Sequence, residues 1–145
     1  MEFIMTNENK QNGSCVCGAV NISIKPENNN VGVCHCNMCR KWGGPLFVFE
    51  NAGHVQLEGE DNITVYNSSE WAERGFCKKC GSHLFYRLKK EQKYFIPVGL
   101  IDDQAHWIFA SQVFIDEKPA WYSFGNKTHN LTGAELFAQY TETSE

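Results

Sequence analysis

The seven cysteines of this 145-residue chain fall into short-spaced groups of the kind that bind metal ions. Three of them lie within the segment Cys34-His35-Cys36-Asn37-Met38-Cys39. Cys34 and Cys36 point the same way on an extended backbone, but they are too close in sequence to form an unstrained disulfide. A Cys-x-Cys-x-x-Cys segment can instead turn its sulfurs onto one ion at the Zn–S distance of about 2.3 Å. The spacing therefore predicts zinc binding by Cys34, Cys36 and Cys39.

The remaining cysteines form two pairs that complement each other. Cys15-x-Cys17 lies near the start of the chain and Cys77-x-x-Cys80 lies past its middle. Together the pairs provide four thiolates, which is the ligand set of a closed structural zinc site. We therefore expect two zinc ions per chain, one in this closed site and one in the three-cysteine site. Because zinc prefers four ligands, the second site leaves a position for water or substrate, as catalytic zinc sites do.

A histidine that closes the three-cysteine site is the alternative to an open position. In that case the second zinc would also be structural. We expect His35 itself to be a non-ligand, because alternation along an extended segment turns it outward, to the face opposite the cysteines. The candidate histidines are His35, His54, His83 and His106.

Composition favours one folded domain and excludes a broad nucleic-acid surface. The chain is 42% apolar and carries a net charge of −4, and its basic clusters, at 40–41 and 78–79, lie beside cysteines. Phosphate binding needs a higher density of Lys and Arg than this. No run approaches the roughly 20 apolar residues of a membrane span, and no secretory signal is recognised, so we expect a reducing, cytoplasmic location. Residues 1–12 are expected to be frayed and residues 13–145 to form a single zinc-binding β domain.

Short strands are predicted to position the cysteines. Val20, Ile22 and Ile24 alternate with polar residues, and an apolar segment at 31–33 leads directly into Cys34. Strands are also predicted at 46–49, 83–88 and 94–99, the last at a sheet edge or with a bulge because Pro97 cannot donate to a ladder. The polar segment 59–62 is predicted to join strands near 55–57 and 63–66 into a hairpin.

The cysteine segments themselves are predicted to be strand-turn-strand knuckles. Gly81 is expected to take the positive φ that closes such a turn. Thr132 and Glu135 have the spacing of a capping box, which predicts one or two helical turns over 136–140. The stretch 119–122 is predicted to be an aromatic anchor in a loop. The fold class is therefore mainly β with a short C-terminal helix.

The cysteine pattern resembles that of the glutathione-dependent formaldehyde-activating enzyme family, which also contains centromere protein V. The resemblance covers about residues 13–121. It implies a β-tent of two or three zinc-ribbon-like antiparallel sheets around a structural zinc held by Cys15, Cys17, Cys77 and Cys80, with a second zinc at Cys34, Cys36 and Cys39. The segments that carry it are Cys15-x-Cys17-Gly18, Cys34-His35-Cys36-x-x-Cys39-Arg40-Lys41 and Arg74-x-Phe76-Cys77-x-x-Cys80-Gly81, with Leu84 and Phe85 following.

The family activity joins formaldehyde to the glutathione thiol, giving S-hydroxymethylglutathione, and is a carbon-sulfur lyase reaction. The resemblance therefore implies a zinc-dependent enzyme that acts on a thiol-aldehyde adduct, with Cys34, Cys36 and Cys39 as its catalytic residues and glutathione as its small-molecule thiol partner. One alternative is a non-catalytic zinc-ribbon binding module whose zinc is only structural. A methionine sulfoxide reductase of the B type is a weaker alternative, because it needs a separate nucleophilic cysteine and the three spare cysteines here are crowded together.

Overall fold

The computed structural model describes residues 9–143, whose contacts divide them into two compact units. The first unit contains residues 9–29 and 49–106, and the second contains residues 30–48 and 107–143. Of the N-terminal segment that was expected to be frayed, residues 1–8 lie outside the described part, and the first strand begins at Gln11. The single domain expected over 13–145 stays a prediction.

The described residues form eleven strands and two α-helices. None of their helices is long and apolar enough to cross a membrane. In chain order the elements are β1 (Gln11–Ser14), β2 (Asn21–Lys25), β3 (Asn30–Cys34), α1 (Asn37–Gly43), β4 (Phe47–Phe49), β5 (His54–Glu58), β6 (Ile63–Tyr66), β7 (Ala72–Cys77), β8 (His83–Leu88), β9 (Lys93–Phe95), β10 (Ile108–Val113), β11 (His129–Leu131) and α2 (Gly133–Thr143).

The first unit contains two antiparallel sheets, in the strand orders β1-β2-β5 and β6-β7-β8-β9. The alternation along β2 works as predicted, because Ile22 and Ile24 are buried on one face while their neighbours are less buried. Strand β9 is an edge strand, as predicted, but it ends at Phe95, so the strand predicted over 94–99 stops short of Pro97. These sheets carry Cys15, which follows β1, and Cys77, which ends β7.

A close approach of two backbones fixes the strand that precedes Cys15. Gly13 forms an isolated antiparallel bridge with Ile101, and a Cβ at Gly13 would lie 1.9 Å from the carbonyl oxygen of Leu100. Any side chain at this position would therefore push β1 away from its neighbour. Gly13 thus allows β1 to lie close to its neighbour, which fixes the position of Cys15 directly after the strand.

The predicted hairpin between β5 and β6 is wrong. Strand β5 pairs with β2, whereas β6 pairs with β7, so the segment 59–62 connects two different sheets. Gly59 has φ 87° there, and a Cβ on it would lie 2.1 Å from the carbonyl oxygen of Ala19. Periodicity identified both strands, but it carries no information about which strand each one pairs with.

The second unit contains one sheet, in the order β11-β10-β3-β4, and it departs from the antiparallel expectation. Strand β10 pairs in parallel with both β3 and β11. Parallel neighbours need a crossover of roughly a dozen residues or more. Residues 35–107 separate β3 from β10, and residues 114–128 separate β10 from β11, so both connections are long enough.

The two helices also differ from the predictions. The segment 34–39 is not a strand-turn-strand knuckle, because β3 ends at Cys34 and α1 begins at Asn37. Helix α2 is longer than the one or two turns predicted. Its capping box is confirmed, since the Thr132 backbone N–H donates to Glu135 Oε1 (2.9 Å) and the Glu135 N–H donates to Thr132 Oγ1 (3.1 Å).

Candidate metal centres

The first cysteine group lies in two similar turns of the first unit. Gly18 and Gly81 both have φ 79°, as was predicted for Gly81, and each glycine donates its backbone N–H to the carbonyl of the first cysteine of its pair. These bonds are Gly18 to Cys15 at 3.1 Å and Gly81 to Cys77 at 2.7 Å. The tight turns bring the sulfurs of each pair to one side.

The sulfurs of this group are spaced as a tetrahedral zinc ion requires. The Cys15 and Cys17 sulfurs are 3.6 Å apart, and those of Cys17 and Cys77 are 3.7 Å apart. Four sulfurs at about 2.3 Å from one zinc would be about 3.8 Å from each other. All four, including Cys80, lie within 4.8 Å of one another, so the donor set fits one zinc ion.

Polar groups around Cys15 and Cys80 favour the thiolate form. Despite a hydrogen bond from the Ala19 backbone, desolvation and the neighbouring thiols raise the pKa of Cys17 to about 11. The Val20 backbone N–H donates to Cys15 Sγ at 3.3 Å, and the Val16 N–H donates to Ser82 Oγ at 3.1 Å, which links the two turns. Hydrogen bonds from the Ser82 side chain and backbone lower the pKa of Cys80 to about 5. Cys15 and Cys77 are buried, whereas Cys17 and Cys80 are exposed.

The second cysteine group lies in the second unit, where β3 meets α1. Cys34 is the last residue of β3, Cys36 is the N-cap of α1, and Cys39 is in the first turn. Cys36 Sγ accepts a hydrogen bond from the Cys39 backbone N–H at 3.3 Å. All three side chains are half-buried and their sulfurs lie within 4.8 Å of one another.

Hydrogen bonds among these three thiols make their pKa values unequal. Hydrogen bonds from Cys34 and Cys39 hold the pKa of the Cys36 thiol far below its usual value. The same bond to Cys36 raises the pKa of Cys34, and burial adds to this effect. One sulfur of the group therefore carries negative charge readily, as a cation-binding site requires.

The structure thus brings together the predicted residues in two separate groups of four and three cysteines. In the part of the chain at 9–143, each potential metal-binding group contains cysteines only, and no disulfide joins them. Both donor sets are all-sulfur, which suits zinc.

His35 differs from the sequence-based expectation. It was expected to turn outward, but its side chain is fully buried. Its ring nitrogens contact Tyr122 Oη at 2.7 Å and Gln112 Oε1 at 2.8 Å. Burial lowers the pKa of His35 and the positive charge of Lys118 adds to this, while the hydrogen bond to Gln112 opposes it.

Sequence reasoning missed Gln112 and Tyr122 as partners of His35. Tyr122 belongs to the stretch that was predicted to be an aromatic anchor, and it does contact His35, while the adjacent Trp121 is 82% exposed. Nothing in the sequence indicated that Gln112 contacts His35, because a single glutamine in an uncertain strand resembles any other polar residue. Its register in β10 opposite Val33 places it beside His35.

Comparison with known proteins identifies several relatives. The chain is 35% identical over 126 residues to an uncharacterized lyase of Schizosaccharomyces pombe, and the match covers 86% of this chain and 92% of the relative. It is 30% identical over 88 residues to a putative glutathione-dependent formaldehyde-activating enzyme of Podospora anserina, covering 56% of this chain and 41% of that protein. A Sordaria macrospora protein of the same name is 25% identical over 81 residues, covering 53% of this chain and 34% of the relative. The chain therefore spans less than half the length of these last two relatives.

A solved structure supports the fold. The crystal structure of a Rhodobacter sphaeroides protein superposes with a TM-score of 0.55 at 25% identity, over 63% of this chain and 87% of that one. The model of the family described as glutathione-dependent formaldehyde-activating enzyme matches residues 10–117, which include all seven cysteines. This match, together with the cysteine pattern, shows that the chain belongs to the glutathione-dependent formaldehyde-activating enzyme family.

Proposed function

We propose that the protein is a zinc-dependent carbon-sulfur lyase-type enzyme that interconverts S-hydroxymethylglutathione with formaldehyde and glutathione. In the forward direction the thiol sulfur bonds to the formaldehyde carbon, and the thiol proton ends on the former carbonyl oxygen. The reverse reaction breaks this C–S bond and returns the proton to sulfur. Family membership and the relative named as a lyase support an enzyme of this general type.

The observation that carries the proposal is the difference between the two cysteine groups. The first offers four sulfurs and the second only three, from Cys34, Cys36 and Cys39. Zinc bound by three thiolates would supply a Lewis-acid position that accepts a further sulfur ligand and lowers the pKa of its thiol. We therefore assign a structural role to the four-cysteine group and the catalytic role to the three-cysteine group.

Basic residues beside the second group suit an anionic thiol. Arg40 and Lys41 lie in the last turn of α1, directly after Cys39, although the chain as a whole carries a net charge of −4. Arg40 donates from Nε to the His35 carbonyl and from Nη2 to Asn37 Oδ1, both at 3.4 Å, so its charge is held near the cysteines. Glutathione carries carboxylates, which this local positive charge would attract. A cytoplasmic location, where thiols stay reduced, is part of the proposal.

A non-catalytic zinc-ribbon module is the second candidate. The observation that favours it is Trp121, which is 82% exposed and packs against Tyr122 with ring centroids 4.5 Å apart and the rings tilted by 57°. Exposed aromatic side chains of this kind often contact protein partners. This candidate predicts zinc binding without any acceleration of the reaction.

The deciding experiment compares Cys36→Ser with the wild-type protein. Serine is also a good N-cap, so the change removes the sulfur while α1 keeps its cap. Met38→Ala is the matched control, because Met38 lies in the same helix and is 43% exposed. The rate of exchange between formaldehyde, glutathione and their adduct would be measured by NMR against the uncatalysed rate.

We expect the wild-type protein and Met38→Ala to accelerate this exchange, and Cys36→Ser to lose the acceleration along with one zinc per chain. Full activity in Cys36→Ser after loss of that zinc would show that the second metal is not catalytic. No acceleration by the zinc-loaded wild-type protein would favour the binding module.

A further inference from the structure

Every polar group of His35 has a partner, although the side chain is fully buried. Its backbone N–H donates to the Val113 carbonyl in β10 at 3.1 Å, and its carbonyl accepts from Arg40 Nε at 3.4 Å. Its ring nitrogens contact Tyr122 and Gln112. A residue held at four points cannot turn without breaking bonds that are costly to lose in a buried place. His35 is also the residue between Cys34 and Cys36.

The hydrogen bonds around the His35 ring establish which of its nitrogens donates and which accepts. Gln112 Nε2 donates to Thr128 Oγ1 at 2.9 Å, and the Thr128 hydroxyl donates to Asn130 Oδ1 at 2.6 Å. The Gln112 amide oxygen must then face His35, so His35 Nε2 carries the hydrogen and donates to it. His35 Nδ1 is left as the acceptor for the Tyr122 hydroxyl. A neutral ring satisfies every one of these groups.

Tyr122 is itself fixed in the second unit. Its ring packs against Phe124 with centroids 5.8 Å apart, and Phe124 packs in turn against Phe47 and Phe109 at 5.5 and 5.1 Å. Lys118 donates to the Tyr122 carbonyl and lies 5.0 Å from the centre of its ring. The hydroxyl that holds His35 therefore comes from a packed aromatic cluster.

We propose that His35 is a positioning residue for the three-cysteine centre, which it holds ready for metal through its bonds to Gln112 and Tyr122. The flanking sulfurs belong to Cys34 and Cys36, so rotation of the His35 backbone would move both of them. Holding this backbone keeps the sulfurs in one arrangement before the ion arrives, which improves affinity because less order has to be created on binding. The inference rests on the proposed role of this group in binding metal.

The test uses the full chain and reads the metal centre instead of the reaction. Tyr122→Phe removes the hydroxyl that donates to Nδ1. His35→Gln places an amide near the Nε2 position, so it keeps the bond to Gln112 and loses the bond to Tyr122. Val31→Ala is the control, because Val31 is buried in the same strand, β3, and makes no hydrogen bond through its side chain. The affinity for the second zinc ion would be measured by chelator competition, and cobalt-substituted protein would report the geometry through its visible spectrum.

Tyr122→Phe and His35→Gln should each weaken binding of the second ion by about tenfold and change the cobalt spectrum. The double variant should be no weaker than His35→Gln alone, because both changes break the same bond. Val31→Ala should lower the melting temperature and leave affinity and spectrum unchanged. If His35→Gln does not fold, Tyr122→Phe decides, since it removes only one oxygen.

Two outcomes would overturn the inference, and only the second would also overturn the proposed function. Variants that bind the second ion as tightly as the wild type would refute the positioning role alone. A wild-type chain that binds only one ion, with three thiols of the second group open to titration, would refute both this role and the proposed function.

Discussion

Replacing Cys80 with serine should destabilise the protein more than replacing Cys36 with serine. The Cys80 side chain is exposed, so its replacement disturbs little packing, and its loss acts through the bound ion. That ion would join segments far apart in the chain, since Cys17 and Cys77 are 60 residues apart. The ion bound by Cys34, Cys36 and Cys39 would close only a six-residue segment.

The lengths of these loops give the size of the difference. If a metal cross-link restricts the unfolded chain as a disulfide does, a loop of about 60 residues contributes about 4 kcal/mol and a loop of about six residues contributes about 2 kcal/mol. The difference of about 2 kcal/mol should appear as a gap of about 6 °C in melting temperature for a chain of this length. The full difference in melting temperature is expected when each variant has lost its zinc ion as a result of the cysteine replacement.

Thermal unfolding of both variants would be measured at the same total zinc concentration, because binding to the folded state raises stability by mass action. Zinc content would be determined on the same samples. With excess chelator the gap should close, since neither variant then holds an ion. Equal losses of stability in both variants, or a larger loss in Cys36→Ser, would refute the assignment of the four-cysteine group as the structural centre.

Two further predictions concern the start of α2 and the packing of β7 against β8. The hydrogen bond from the Thr132 backbone lowers the pKa of the Glu135 carboxyl below its usual 4.5, so the contribution of this carboxylate to α2 is present above that pH and is lost as the pH falls through the lowered pKa. Hydrogen exchange should show the first turn of α2 losing protection over that pH range, and Glu135→Gln should remove the pH dependence. Gly75→Ala would place a Cβ 2.4 Å from the Phe85 ring and should cost about 1–3 kcal/mol in urea unfolding. Gly125→Ala, where nothing lies within 4 Å, should change stability by less than about 0.5 kcal/mol, and equal effects of the two changes would contradict this packing argument.

The two cysteine pairs and the three-cysteine segment were predictable because ligand spacing is a local property, and the preference of zinc for four ligands then joined the two pairs. A Cys-x-Cys or Cys-x-x-Cys turn places its sulfurs together wherever the turn lies in the fold, and Gly18 and Gly81 then close the turns. The alternation of apolar and polar residues in β2 was equally local. Both features depend on residues a few positions apart, which a single sequence displays directly.

Strand partners were not predictable in the same way. The segments that became β5 and β6 looked like a hairpin because they are adjacent, yet β5 pairs with the distant strand β2, and β6 pairs with β7, the strand that follows it. The parallel pairing of β10 with β3 joins segments separated by residues 35–107. Such pairings are decided by burial across the whole unit, which periodicity does not report.

His35 shows the same limit at the site itself. Alternation predicted that its side chain lies opposite the cysteines and is not a ligand, and its ring nitrogens contact Tyr122 and Gln112. Alternation also suggested that the opposite face is solvent, whereas that face holds Gln112 and Tyr122, which are 77 and 87 residues away in sequence. Contacts at this separation become visible only in the folded chain.

The most direct test of the central claim is the visible spectrum of cobalt-substituted protein during titration with glutathione. The claim is that Cys34, Cys36 and Cys39 form a metal centre that accepts a substrate thiol. The spectrum of the wild-type protein should change at millimolar glutathione, and Cys36→Ser, which retains the four-cysteine group, should show no change. An unchanged wild-type spectrum in a protein that holds two metal ions and still accelerates adduct formation would contradict the claim.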